Sequence, residues 1–440
     1  MDTVSGSVGA GATTTAALPA LPNISSPFPT LSFFTLSTLI SWPSLATVFV
    51  LYVVLCRSLR FRNEKALLRR YKYTDRASVA GMSNDDASEI MRNLIVYEFP
   101  KLYHTSLQFA IFKTYGFETM SRLIVATKSF SDPGTAPKRY EDTVILFHQF
   151  QLNPPTSDLC IRSISRMNTL HDKYKKAGRI SNADFLYTLS VCVTEPIKFI
   201  NKFEWRKLND LEVNAVGCHW KSIGDAMHIQ YKGYLSKDSW KDGIEFVEDI
   251  TAWAKSYEIE AMKPAKTNRP PADALMDLLL FHVPSVARPF VEEVATVLMG
   301  ARVRDAFYYP EPSLLAAWTA YTAMIVRQFV LRHLWLPRFG EKKIFTGPDP
   351  DSGRLQHLNY LVQPYYQSGT FWNRWGPEAW LTRILGGNVP GSGGEKLIPQ
   401  GFLFEDIGPA ATMGKNKAEM ADWEQRLKKE RPSGCPFSTA

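Results

Sequence analysis

Residues 166–189 read RMNTLHDKYKKAGRISNADFLYTL. The stretch closes one helix and opens another. The helix spanning 157–177 begins after NPPTSD, where Ser157 or Asp158 can cap it, and ends at Gly178, which can take a left-handed conformation. Ile161, Ile164, Met167, Asn168, His171 and Tyr174 then fall on neighbouring faces, so His171 points to the aliphatic side. The next apolar run, 181–201, has the same three- and four-residue spacing.

That pattern continues along most of the chain. Residues 86–99, 104–129, 141–151, 209–231, 241–258, 272–281, 286–300 and 313–335 repeat it, separated by Pro, Gly or short polar residues. No alternating run with Asn-Gly turns appears. The expectation is an all-α protein with a single large multi-helix domain over 74–340. Beyond it lies a C-terminal extension, 341–440, packed irregularly and ending in one exposed charged helix within MGKNKAEMADWEQRLKKERP.

The N-terminal part is different. Apart from Asp2 there is no charged residue before Arg57, and 32–56 form an apolar run long enough to cross a hydrocarbon core of about 30 Å. Pro43 lies near its start, where a helix tolerates proline or bends. Arg57, Arg60, Arg62, Lys65, Arg69, Arg70 and Lys72 follow, against the one acid Glu64, within a basic juxtamembrane segment 57–73. The positive-inside rule then predicts a single-pass helix with a cytosolic C-terminal domain. Residues 1–31, uncharged apart from Asp2 and rich in small residues, are expected to be disordered and luminal, with a glycosylation sequon at Asn23-Ile24-Ser25. A cleaved signal peptide would have a basic start and a small-residue cleavage site, and neither is present.

Composition bounds the rest. The 440 residues, 45% hydrophobic and 12% aromatic, suffice for a large core. The net charge of +8 includes the juxtamembrane cluster, so it is no nucleic-acid signature. Cys56, Cys160, Cys192, Cys218 and Cys435 contain no C-x-x-C pair, as suits a cytosolic domain without disulfides or structural zinc. H-E-x-x-H, C-x-x-C-H, G-x-S-x-G and a strand-bounded G-x-G-x-x-G are all missing, and the acid-x-x-His pair at Asp225–His228 stands alone where a di-iron bundle needs two. A histidine in an apolar helical pocket remains for redox chemistry, a common way to hold haem iron. On spacing alone, a histidine such as His171 is most often a core residue, and His104, His148, His219, His282 and His333 read as structural by the same reasoning. Pro196 is expected to end or bend a helix, and Glu204 with Arg206 to form a charge pair at a helix junction.

The succession FAIFKTYGFETMSRLIVATKSF, KRYEDT, RMNTLHDKYKKAGRISNADFLYTLSVCVTEP, EWRKLNDLE, WKSIGDAM, WKDGIEF and RVRDAFYYPEP resembles the fungal endoplasmic-reticulum-bound oxygenases of the mpaB family. More distantly it is similar to the catalytic domain of the bacterial rubber oxygenases, the latex-clearing proteins. The resemblance covers roughly 60–340. It implies an all-α, membrane-anchored enzyme of the endoplasmic reticulum that uses haem b and dioxygen on a small apolar, isoprenoid or prenyl-chain substrate in secondary metabolism, with oxidative cleavage of a carbon–carbon double bond. By the same resemblance His171 is the iron ligand, on an element beginning at Arg166 and Met167, and Arg122 and Thr127 are distal residues. The rubber enzymes carry a lysine just before that threonine; Ala126 stands there in this chain and Lys128 follows. Arg162 and Arg166, near His171 in sequence, are candidates to neutralise haem propionates. Hydroxylation or cyclisation by the same haem, and a non-catalytic binding role on the same scaffold, stay open.

Overall fold

A computed structural model describes residues 41–437 apart from 72, 74, 129, 131, 432 and 433. The expectations for 1–31, the sequon at Asn23 and the first part of the apolar run lie outside the described residues. Helix α1 (Trp42–Leu59) begins in one compact unit, which ends at Tyr52, and its last residues belong to a second unit that starts at Val53. Val48, Phe49, Leu51 and Val54 on α1 are all exposed. The helix is long and apolar enough to cross a membrane.

The second unit is built from helices, and no strand occurs among the described residues. After α2 (Arg62–Arg70) and the single turn α3 (Arg76–Val79), α4 (Asn84–Asn93) is capped by Ser83 and runs into a π-helical turn, Leu94–Glu98. The apolar run expected over 104–129 is two helices, α5 (Pro100–Thr114) and α6 (Glu118–Thr127), because the chain turns at Tyr115–Gly116. Helices α7 (Ala136–Leu152), α8 (Asp158–Lys176), α9 (Asn182–Phe203) and α10 (Asp210–Ala226) follow the sequence expectation within a few residues. So do α11 (Gly243–Ala261), α12 (Arg269–Leu279), α13 (Arg288–Met299) and, after the short α14 (Ala301–Ala306), α15 (Leu314–His333).

Local chemistry fixes several junctions. Ser157 caps α8 by accepting from Cys160 N–H, and α8 stops at Gly178, whose φ of 64° is a left-handed conformation that costs glycine little. Ser181 and Asp184 form a reciprocal capping box that starts α9. Pro196 sits inside α9, which continues through it to Phe203. Glu204 and Arg206 do not pair with each other. Arg206 bonds Glu98 of the π turn at 2.9 Å and Glu212 of α10 at 2.6 Å, while Glu204 receives Arg327 of α15 at 2.6 Å. Helices α10 and α11 approach closely at two glycines: a Cβ on Gly217 would lie 2.1 Å from the Gly243 carbonyl oxygen.

The C-terminal segment packs on the helical domain, and its last helix is not the exposed one expected from its charge. It contains α16 (Phe371–Trp375), α17 (Pro377–Ile384) and α18 (Lys417–Glu430), and α18 packs along α8. Met420, Trp423 and Leu427 are buried on one stripe of α18, so this charged helix is amphipathic and half interior. Leu355, Tyr366, Phe402, Phe404 and Ile407 join the same core as Ile161, Ile164 and Trp220.

Candidate active site

Helices α6, α7, α8, α9 and α10 and the loop around Gly408–Thr412 enclose a cavity of about 810 Å³. Its volume lies within the range of about 300–1,000 Å³ typical of small-molecule and cofactor sites. Met120, Leu123, Ile124 and Thr127 line it from one stripe of α6, with Phe147 and Phe150 from α7 and Trp220 and Ile223 from α10.

His171 reaches this cavity from α8, beside Met167, Leu170 and Tyr174. Phe185 of α9 meets its ring edge-on, with centroids 5.5 Å apart and planes at 84°. The imidazole keeps intermediate exposure, while its Nδ1 is buried without a well-formed hydrogen bond. Burial, then the nearby Arg139 guanidinium, push its pKa down to about 4, against the smaller opposing effects of Asp172 and the Met167 carbonyl. His171 is therefore a neutral ring at physiological pH, with a nitrogen lone pair available for a metal.

The other residues singled out in the sequence sit in different places. Thr127 lines the cavity, and its hydroxyl donates to the Leu123 carbonyl at 2.9 Å. Arg122 is on the outer face of α6, exposed and paired with Glu118 at 2.6 Å, and does not line the cavity. Ala126 is exposed, whereas Lys128, left-handed at φ 49° where α6 ends, contributes to the wall. Arg162 lies between Glu405 and Glu424 outside the cavity.

Arg166 is fully buried, and its guanidinium is committed to main-chain carbonyls: Nε to Ile407 at 2.8 Å, Nη1 to Lys415 at 3.1 Å, Nη2 to Glu405 at 2.8 Å and Thr412 at 3.0 Å. Four of its five N–H donors are spent on the loop that walls the cavity, and the side chain does not itself line the cavity. Asp142 reinforces the same loop, accepting from Gly408 N–H at 3.0 Å and from the Tyr366 hydroxyl at 2.7 Å.

The cations that do face the cavity come from elsewhere. Lys128, Lys138, Arg139, Lys173, Arg179 and Lys396 contribute to its lining. Arg139 donates to the Thr143 hydroxyl at 3.3 Å, and neither it nor Arg179 pairs with a carboxylate among the described residues. Arg139 belongs to the stretch KRYEDT, whose resemblance was visible while its direction was not.

A second imidazole group lies deeper. His104 and His148 have ring centroids 5.5 Å apart, and His148 and His357 5.9 Å, beside a small cavity of about 60 Å³ touching His104 and His148. His357 Nδ1 pairs with Glu141 Oε1, tying the C-terminal segment to α7. Among the described residues no three His, Cys, Asp or Glu side chains converge as metal ligands would. Asp225 pairs with Lys221, and His228 with Glu430, at the surface.

The chain matches no family model. It is 37% identical to the ER-bound oxygenase mpaB′ of Penicillium brevicompactum over 401 residues, 90% of this chain and 94% of the relative. It is 36% identical to the ER-bound oxygenase mpaB of the same organism over 361 residues, 81% of this chain and 86% of that one. The mpaB of Penicillium roqueforti (strain FM164) is 38% identical over 277 residues, 62% of this chain and 93% of its own. A helical domain with an apolar N-terminal helix and these relatives define the class of the protein, an oxidoreductase of the oxygenase type. The chain belongs to the mpaB family of ER-bound oxygenases.

Proposed function

We propose that the protein is a haem-dependent oxygenase anchored in the endoplasmic reticulum membrane by a single pass through α1, with its catalytic domain cytosolic. The substrate is an apolar intermediate of secondary metabolism carrying an isoprenoid or prenyl chain. The observation that carries this reading is His171: a neutral imidazole, its Nδ1 without a well-formed hydrogen bond, on the wall of a large apolar cavity.

The residues present fit the group. A porphyrin supplies four nitrogens of its own, so one protein imidazole is enough to hold its iron, and no cluster of protein ligands is needed. Met167, Phe185 and Trp220 provide apolar walls, and Arg139 and Arg179 are the cations available to propionates, Lys138 being paired with Asp142 at 2.7 Å. When bound, haem would supply the redox chemistry that lets dioxygen react with an alkene; cleavage of the double bond by dioxygen gives two carbonyl products, one oxygen atom in each.

The chain's own work is binding and exclusion. The aliphatic stripe of α6 holds an apolar chain against the opposite wall and keeps water from it. The Thr127 hydroxyl, its proton committed to the Leu123 carbonyl, forms part of the wall, and Lys128 brings an ammonium to the end of the same helix. Arg166 and Asp142 act as positioning residues by fixing the Glu405–Lys415 loop.

The test is an absorption spectrum of detergent-purified protein, oxidised and reduced, beside His171→Ala prepared identically. The expected result is a Soret band at near-stoichiometric haem that the variant loses while its circular dichroism is unchanged. Absence of haem after expression with added haem would overturn the reading.

A further inference from the structure

Helix α15 passes the length and hydropathy test for a membrane span, yet its contacts hold it flat on the domain. Arg327 donates to the Phe203 carbonyl at 3.1 Å and pairs with Glu204 at 2.6 Å, and Gln328 donates to the Lys202 carbonyl at 2.7 Å. Ala316 and Ala320 are buried, and α13 packs along the helix. A helix bonded to the domain through Arg327 and Gln328 and packed along α13 does not cross a bilayer.

Among the described residues the opposite face has no partner. Leu314 (89% exposed), Trp318 (67%), Ile325 (63%) and Phe329 (58%), with Tyr321 between them, form one stripe at three- and four-residue spacing. Trp335 and Phe339, also exposed, extend it past the end of the helix. An apolar stripe of this length on a water-soluble surface marks an interaction site.

What covers it follows from where the chain enters the domain. Arg62, just beyond α1, places its guanidinium over the Phe339 ring at 4.8 Å, and Arg57 lies close enough to His333 to act on it electrostatically. The stripe thus ends beside the exit of the membrane helix. Lys202, above the Tyr321 ring at 5.1 Å, and Arg332 border it with cations. Aromatic and aliphatic side chains rimmed by Lys and Arg are what a bilayer interface with anionic headgroups recognises.

We infer that α15 is a second, in-plane membrane contact, seating the domain on an anionic lipid surface. The identity of the partner rests on the reading of α1 as the anchor; the exposed stripe does not. With α15 lying in the interface, the domain has a fixed attitude to the bilayer rather than tumbling on a tether.

The test uses the full chain in phosphatidylcholine–phosphatidylserine liposomes, with a nitroxide on Ile325→Cys in a Cys435→Ser background. Leu51→Cys on α1 and Asp238→Cys, exposed elsewhere on the domain, serve as references. Collisions with oxygen report lipid and collisions with a water-soluble nickel chelate report water. The expected result is oxygen-dominated relaxation at Ile325, at a depth of about 5–10 Å as for interfacial helices, and chelate-dominated relaxation at Asp238. Chelate-dominated relaxation at Ile325 with lipid at Leu51 would overturn the inference and leave the anchor standing. Shielding of Ile325 from both reagents would overturn it in favour of a contact between copies. Lipid at Ile325 with water at Leu51 would support the inference and remove the anchor.

Discussion

Arg166 Nε and the Ile407 carbonyl oxygen, from segments far apart in sequence, lie 2.8 Å apart inside the protein, and three further carbonyls of the same loop share the guanidinium. Replacing the side chain with methionine keeps much of its volume and removes the donor from four carbonyls, the buried Ile407 carbonyl among them. Arg166→Met is expected to lower stability by about 3–5 kcal/mol, the range for breaking a buried charged network. Arg166→Lys should not restore it, since one ammonium cannot reach four carbonyls in that fan. Urea titration measures the loss, and limited proteolysis should find new cleavage between Glu405 and Lys415. An unchanged midpoint would mean that the loop holds itself.

The glycine contact between α10 and α11 makes a sharper packing prediction. A methyl on Gly217 would overlap the Gly243 backbone, so Gly217→Ala should cost about 3 kcal/mol or force the helices apart. The exposed glycine Gly347 has open space around it, and Gly347→Ala should change the midpoint little. Thermal melts of the two variants decide the matter.

Cofactor retention should separate the two sets of arginines. Arg139→Leu removes a cation from the cavity wall and is expected to speed haem transfer to apomyoglobin by about tenfold or more, the scale of one charged hydrogen bond. Arg162→Ala breaks contacts outside the cavity and should leave the transfer rate alone. Equal effects of both would point to general loosening.

Arg122→Ala gives a control of opposite sense. The residue is exposed and engaged in a helical ion pair, so the change should cost no more than about 0.5 kcal/mol and leave the absorption spectrum intact. A lost Soret band in this variant would restore a distal role to Arg122.

Acid should destabilise the protein through its buried histidines. Burial, then His357, lowers His104 to about 4; burial, then Arg431, lowers His219 to about 3. Unfolded, both titrate near 6.5. Between those values the unfolded chain binds protons that the folded chain does not, so stability falls as pH drops below about 6.5, by about 1.4 kcal/mol per unit for each histidine. Urea midpoints from about pH 7 to pH 5 should show this slope, and His219→Phe should reduce it by one proton's worth.

Much of the architecture was written locally. Spacing of apolar residues and the caps at Ser157, Ser181 and Gly178 placed α8 and α9 within a residue or two, because helix formation and its termination depend on neighbours three and four positions away. The same spacing put His171 on an inner face, and the resemblance singled it out among eight histidines. The break of α5 from α6 at Gly116 and the passage of α9 through Pro196 went the other way, since packing against other helices overrides a local preference there.

The sequence by itself therefore determined the all-α class, the apolar N-terminal helix and the face on which His171 sits. Only the tertiary structure decided which cations meet the cavity, that Arg166 serves a loop more than two hundred residues away, that Arg206 bonds Glu98 and Glu212 instead of Glu204, and that α18 is half interior. The physical reason is reach. An apolar side chain needs only burial, and the face of a helix supplies it, whereas a guanidinium needs particular acceptors at hydrogen-bond distance. Folding brings those acceptors from parts of the chain that no local pattern connects.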